Sequence, residues 1–395
     1  MDSLLEGVRI LDLTRVLAGP YASMVLADLG AEVIKVELPS SGDESRGFGP
    51  FQNGESAYFT SVNRGKKSVT IDLRQERGRD LALGLAETCD VLVENFRPGS
   101  MDRFGLGYET VHAKCPQLVY ASISGFGQTG PYAQRPAYDV LIQAMGGLAS
   151  ITGEPNSPPV RVGSSIADLS AALFGAVGIL AALQRASRTG EGQQIDISML
   201  DCQVALLENA LARYAVSGEV PQPLGSRHPA ITPFQFFAVS DGHIVLAAGN
   251  EGLWRKLCTA LGLLDLIEDS RFADNALRTE NHAALEPLLA EVLADKTVAE
   301  WCEVLVQAGV PSGPLCDVGE VFNDEQIAAR EMIVEIDHPI AGRQAMPNSP
   351  LKFSQTPIQL QRPAPLLGQH TEEVLRDMLD LGTDEITGLR ADGVI

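Results

Sequence analysis

Cysteine pairs, grouped histidines and a basic face are all missing from this chain. The six cysteines, Cys89, Cys115, Cys202, Cys258, Cys302 and Cys316, form no CxxC pair and sit in apolar surroundings, where a free thiol acts as a small hydrophobe. A disulfide framework and a zinc ribbon are therefore not expected. The six histidines at 112, 228, 243, 282, 338 and 370 show neither HxH nor HxxxH spacing, so no metal is expected. Basic residues number 30 against 51 acidic ones, for a formal charge of −21, which speaks against a nucleic-acid binder. A polyanion could still be held where a few Lys and Arg are gathered. Residues 1–6 contain no basic stretch leading into a long apolar run, so no signal peptide is predicted and the expected compartment is the cytoplasm. The longest apolar stretch, Leu169–Leu183, is interrupted by Gly175 and Gly178 and falls short of the ~20 residues a bilayer span requires. It predicts a buried helix and no membrane partner. No GxSxG elbow occurs, which weakens a serine-hydrolase reading.

What the chain does contain is a regular alternation of strand and helix. Val8–Leu13, Ala31–Val36, Val69–Leu73, Asp90–Val93 and Leu118–Ile123 read as strands, with Pro20–Leu29, Glu76–Thr88 and Tyr108–Lys114 as helices between them. That pattern predicts a parallel sheet covered by helices. A strongly apolar helix follows from Leu169 to about Ala186, and another from about Leu200 to Ala215. The Pro/Gly-rich passage Gly218–Pro233 then marks a boundary. Beyond it lie a strand, His243–Ala248, and helices near Leu253–Leu261, Ala283–Leu293 and Val298–Gln307. A further extended stretch begins at Met332–Ile336, and two helices follow Leu367. A chain of 395 residues, 45 % of them apolar, is expected to divide into two domains.

Two motifs need weighing. Gly125-Phe126-Gly127-Gln128-Thr129-Gly130 fits GxGxxG after a predicted strand, but a dinucleotide fingerprint also needs a helix opening within the glycines and an acidic residue about 20 positions on. Here Pro131 and Pro136 follow and Asp139 comes too soon, so NAD binding is not predicted. Asp168 stands at the expected start of the long apolar helix. Its plain role there is an N-cap. Its functional role is that of a pinned, partly desolvated carboxylate that attacks a thioester carbonyl to form a mixed anhydride. Arg64, Lys66 and Lys67 before the strand at Val69, and Arg97 and Arg103 around Pro98-Gly99, are local basic groups for phosphates or, equally, solvated surface charges.

The segments LDLTRVLAGPYAS (11–23), LGAEVIKVE (29–37), VENFRPG (93–99), GFGQTGP (125–131), AYDVLIQAMGG (137–147), ADLSAAL (167–173) and PLLGQHT (365–371) together resemble the family III CoA-transferases, the carnitine- and bile-acid-inducible type, over essentially the full length. The resemblance implies an α/β fold. A Rossmann-like large domain would take residues 1–217 and 331–395, a smaller α+β domain residues 218–330 over the active site, and two chains would interlock as a homodimer. It implies that Asp168 is the nucleophile. It also implies that coenzyme A, as substrate and not as a tightly bound cofactor, contacts Leu17, Ala18, Ile71, Asp72, Leu73, Arg74, Asn95, Phe96, Arg97, Arg103, Tyr138 and Asp139. Two departures stand out. Leu38 occupies the place of an arginine in formyl-CoA transferases, and Gly225-Ser226-Arg227-His228-Pro229 replaces their glycine run, which argues against oxalate and formate as natural acids. Within the family the likeness is greatest to members that move CoA from succinyl-CoA to glutarate or 3-hydroxy-3-methylglutarate. Arg46 or Arg227 then becomes the candidate partner for the distal carboxylate of a dicarboxylic substrate. Racemases of 2-methylacyl-CoA are a second reading, but their histidine falls at Tyr138, and a phenol of ordinary pKa is a poor base at neutral pH. A CoA-binding protein without activity is the third.

Overall fold

The computed structural model describes residues 3–360 and 362–395, arranged in two compact units. The first comprises residues up to Leu148, Arg161–Ala212 and Gln326–Ile395; the second comprises Ala149–Val160 and Arg213–Glu325.

Six parallel strands form the centre of the first unit: β1 Arg9–Asp12, β2 Glu32–Glu37, β3 Lys67–Thr70, β4 Val91–Glu94, β5 Val119–Ser124 and β6 Gln194–Ser198. Their spatial order is β3-β2-β1-β4-β5-β6. Ile10 of β1 is in register with Val33 on one side and Val91 on the other. The chain therefore builds outward from β1 in one direction and from β4 in the other, which leaves a switch point between them. Side chains alternate faces along each strand. Ile10, Val33, Val91, Val119, Ala121 and Ile123 meet the helices Ala18–Asp28 and Ile166–Thr189. Leu11, Ile34, Val69, Leu92, Leu118 and Tyr120 meet the helices Glu76–Glu87, Tyr108–Lys114, Thr371–Leu379 and Thr383–Ala391. Burial on both faces explains the near-continuous apolar runs seen in the sequence, each such side chain contributing roughly 1.5–3 kcal/mol. The free edge of β3 is covered from far along the chain. The His370 N–H donates to Ser68 O at 2.9 Å, the Thr70 N–H to Thr371 Oγ1 at 2.9 Å, and the Asp72 N–H to Val394 O at 2.8 Å.

The apolar helix is longer than its sequence pattern indicated. It spans Ile166–Thr189, 24 residues, and ends at Gly190 in the left-handed conformation. Asp168 is thus in the first turn and is not the cap; Ser165 holds that place. By length and composition alone this helix could cross a bilayer. Its Ala167, Ala171, Ala172, Gly175, Ala176 and Ile179 are buried in the first unit, while Leu173, Phe174 and Val177 are 51 %, 47 % and 65 % exposed. The segment expected as one helix from Leu200 to Ala215 is two, Met199–Leu206 and Glu208–Ser217.

In the second unit three antiparallel strands, ordered Ser312–Pro314, Gly242–Ala247 and Phe234–Val239, form a small sheet. Helices Glu251–Leu261, His282–Leu293 and Val298–Gln307 supply Trp254, Leu257, Leu285, Leu289, Trp301 and Leu305 to its core. Arg278, fully buried there, is clasped by both Glu251 oxygens at 2.8 Å.

Candidate active site

Open α/β sheets bind ligands outside the carboxyl ends of their strands, at the switch point. The first unit has two adjoining cavities there. One, of about 340 Å³, is walled by the residues that follow β1 (Arg15–Ala18), β4 (Asn95–Pro98) and β5 (Gly125), by Arg135–Tyr138, and by Asp168. The other, of about 240 Å³, lies over the ends of β1, β2 and β3, between Thr14, Leu38–Glu44, Ile71–Arg74 and Phe104. Arg15, Glu44 and Phe96 line both, so the two form one crevice. A larger cavity of about 670 Å³ sits at the amino end of the sheet. Its Arg64 is held by Asp28, and its Lys67 by Glu32 and Glu373.

Asp168 is a carboxylate in the wall of the first cavity. Burial, and then the like charge of Asp139, push its carboxyl up to about 7. Asp139 holds it in place from behind: one oxygen accepts the Ala167 N–H at 2.9 Å and the other the Gln143 side-chain amide at 2.7 Å. The Gln143 carbonyl oxygen in turn accepts the Val162 N–H at 2.9 Å. The helix start is therefore capped by a distant carboxylate, and Asp168 is left free to face the cavity. Burial and the charges of Asp168, Asp43 and Asp139 also raise the Tyr58 phenol. The Ala18–Asp28 helix, whose start lines the same cavity, opens at Leu17 with no side-chain cap, so its first N–H groups are available to an anion. The turn is tight: a Cβ on Gly19 would lie 2.3 Å from Thr14 Cβ, which only glycine avoids.

Of the residues read from the sequence, Leu17, Ala18, Asn95, Phe96, Arg97, Tyr138 and Asp168 line the first cavity. Ile71, Asp72, Leu73, Arg74 and again Phe96 line the second. Asp139 stands behind the wall, and Arg103 donates to Ser100 Oγ at 2.9 Å on the neighbouring turn. The basic trio at the start of β3 is not available to phosphates. Arg64 and Lys66 are buried on Asp28 and Asp12, and Lys67 bridges two glutamates. Arg46 is likewise committed. It clasps Glu37 through two bonds of 2.7 Å, donates to Pro365 O, and lies 3.7 Å over the Phe59 ring, so it does not line the Asp168 cavity as a distal-carboxylate partner must. Arg227 belongs to the second unit, where its Nε is buried. The arginines that do line the cavity are Arg15, paired with Glu44 at 2.8 Å, together with Arg97 and Arg135. Sequence reasoning missed Arg15 and Arg135. The place of Arg15 just past β1 was the available signal.

The GxGxxG passage is a loop, with Gly127 and Gly130 at positive φ, and the next helix begins only at Asp139. Sheet, switch point and crevice together define an α/β protein with an open crevice at its strand ends. The chain belongs to CoA-transferase family III, whose model matches residues 5–371. It is 42 % identical over 392 residues to the succinyl-CoA:glutarate CoA-transferase of Mus musculus, across 99 % of this chain and 90 % of that one. It is 43 % identical over 366 residues to the acetyl-CoA:oxalate CoA-transferase of Acetobacter aceti, across 92 % and 93 %. The crystal structure of a CAIB/BAIF family protein from Brucella suis matches with a TM-score of 0.85 at 41 % identity, covering 96 % of this chain and all of that one. The chain is accordingly an enzyme that transfers CoA groups.

Proposed function

We propose that this enzyme moves CoA from succinyl-CoA to a dicarboxylate through a covalent intermediate on Asp168. The observation that carries the reading is the position of Asp168: a desolvated carboxylate lining a crevice at the switch point, in the same cavity as an uncapped helix N-terminus. Ionised, it attacks the thioester carbonyl of the donor, and CoA thiolate leaves as the mixed anhydride forms. The thiolate then attacks the Asp168 carbonyl, which releases the donor acid and leaves an aspartyl-CoA thioester. The acceptor carboxylate attacks that thioester and expels the thiolate again. Final attack of the thiolate on the acceptor acyl group frees the product thioester and restores Asp168. Each step exchanges acyl groups of similar energy, so no other energy source is needed. The N–H groups at Leu17–Gly19 face the oxyanions.

The strand order supports a Rossmann-like reading of the first unit, with CoA lying across the switch point and its nucleotide end over Ile71–Arg74. Both named relatives act on a dicarboxylate, glutarate or oxalate, by their names. Arg97 and Arg135, which have no carboxylate partner among the described residues, are the cations available for a distal carboxylate. The exposed Leu173, Phe174 and Val177 support the homodimer implied by the family, and six free thiols suit a reducing cytoplasm. The test is thioester formation from succinyl-CoA against glutarate, oxalate and acetate, with hydroxylamine trapping of the enzyme during turnover. Modification at Asp168 and no transfer by Asp168→Asn are expected; full activity of that variant ends the reading.

A further inference from the structure

Val16, in the wall of the Asp168 cavity, has a φ of +67°. A β-branched residue does not take that conformation unless its surroundings impose it. The next two residues, Leu17 and Ala18, carry the helix start that lines the same cavity as Asp168. What imposes the turn is visible in the structure. The Val16 N–H donates to both oxygens of Asp43, at 3.1 and 3.3 Å. Asp43 is fully buried against Lys35, whose Nζ lies 2.8 Å from Asp43 Oδ2 and also donates to Thr14 O at 2.8 Å. Lys35 thus grips the turn two residues before Val16 while holding the acid that grips Val16 itself. Asp43 is fixed in turn by Ser45, whose N–H and hydroxyl donate to its Oδ1 at 2.9 and 2.8 Å, and by Glu37, which accepts its N–H at 3.0 Å. Between the two grips, the Arg15 N–H donates to Asn95 Oδ1 and the Asn95 amide to Arg15 O, both at 2.8 Å. Three consecutive residues are therefore held from outside the turn, and the one in the least natural conformation is held by a buried ion pair.

We propose that Asp43, backed by Lys35, is a positioning residue of the transfer reaction. It keeps Val16 left-handed and so aims the Leu17–Ala18 backbone at the acyl group on Asp168. The proposal rests on the reading of Asp168 as nucleophile. Asp43 lines the neighbouring cavity and not the one walled by Asp168; it acts through Val16.

A buried ion pair exchanged as a unit for apolar residues commonly leaves stability unchanged, which separates positioning from simple support. The experiment compares the wild-type enzyme, Asp43→Leu with Lys35→Met, and that pair with Val16→Gly added. The pair variant is expected to fold and to lose at least tenfold in kcat, with less than threefold change in KM for acyl-CoA. Adding Val16→Gly is expected to restore kcat at least threefold, since glycine enters the left-handed region freely. If the pair variant does not fold, Asp43→Asn with and without Val16→Gly gives the same comparison. Unchanged kcat on loss of Asp43, or a loss that glycine does not relieve, overturns the proposal. Hydroxylamine trapping of wild-type Asp168, run alongside, tells the two readings apart. If Asp168 is trapped and kcat ignores Asp43, only the positioning claim falls; if Asp168 is never trapped, the nucleophile falls first.

Discussion

Replacing Asp168 by asparagine is expected to abolish transfer and, above neutral pH, to make the fold more stable. The argument is one of linkage. Burial and Asp139 push the Asp168 carboxyl up to about 7 in the native state, against about 3.9 in an unfolded chain. Below about pH 4 both states hold the proton. As pH rises from about 4 to about 7 the unfolded chain ionises while the native carboxyl keeps its proton, so the wild-type fold loses stability through that window and carries the whole penalty above it. Asparagine has the same shape and no charge to desolvate. The separation corresponds to a ceiling of about 4 kcal/mol. Water in the crevice reaches part of the carboxyl, and solvent screening lowers the expected gain to about 1–2 kcal/mol. Urea denaturation of both proteins from pH 5 to 9 measures it. The difference should be smallest at pH 5, grow to pH 7 and then level off. A difference flat with pH, or an asparagine variant that is the weaker protein at pH 8, refutes the claim that the site opposes its own charge.

Three more outcomes are expected. Because the nucleophile must be ionised, kcat/KM should fall about tenfold per pH unit below about 7, and Asp139→Asn should move that limb to lower pH by removing the like charge; a pH–rate profile in which the limb stays put contradicts the coupling. Arg135→Met should raise KM for glutarate about tenfold or more and leave acetate little changed, whereas equal effects on both acids would rule Arg135 out as the distal-carboxylate partner. Lys66→Met strips the buried Asp12 of its ion-pair partner at 3.0 Å and should cost about 3–5 kcal/mol in chemical denaturation; a loss below about 1 kcal/mol would show that Lys35 and the hydroxyls suffice.

Strands whose two faces are both buried announce themselves as apolar runs, which is why β1, β2, β4 and β5 were legible to within a residue or two. β6 was not. Gln194-Ile195-Asp196-Ile197-Ser198 is an edge strand, half exposed, with only two apolar residues. Phe234–Val239 escaped because it abuts the Pro/Gly-rich passage used as a boundary, and nothing in the composition of Ala149–Val160 ties it to the second unit. Asp168 emerged through the family's motif rather than through local pattern, which placed the helix start three residues late. Arg46 was chosen for its chemistry, and only the fold shows Glu37 already in its grasp. Lys35 did leave a trace: a lysine inside the apolar run Glu32–Glu37 must be paired if the strand is buried. The conformation of Val16 left none, since no residue type is a poorer advertisement for a left-handed turn.

The cover over the free edge of β3 has a consequence for biosynthesis. Thr371, which closes it, is 301 positions from Thr70, a distance that takes a ribosome about 15–60 s to translate. Throughout that interval a row of backbone donors and acceptors stands open to any neighbouring nascent strand. Chaperone demand and co-translational aggregation should therefore concentrate on the growing chain before its last segment emerges, and a shorter product ending before residue 326 should be captured by quality control even though all six strands of the sheet are already encoded.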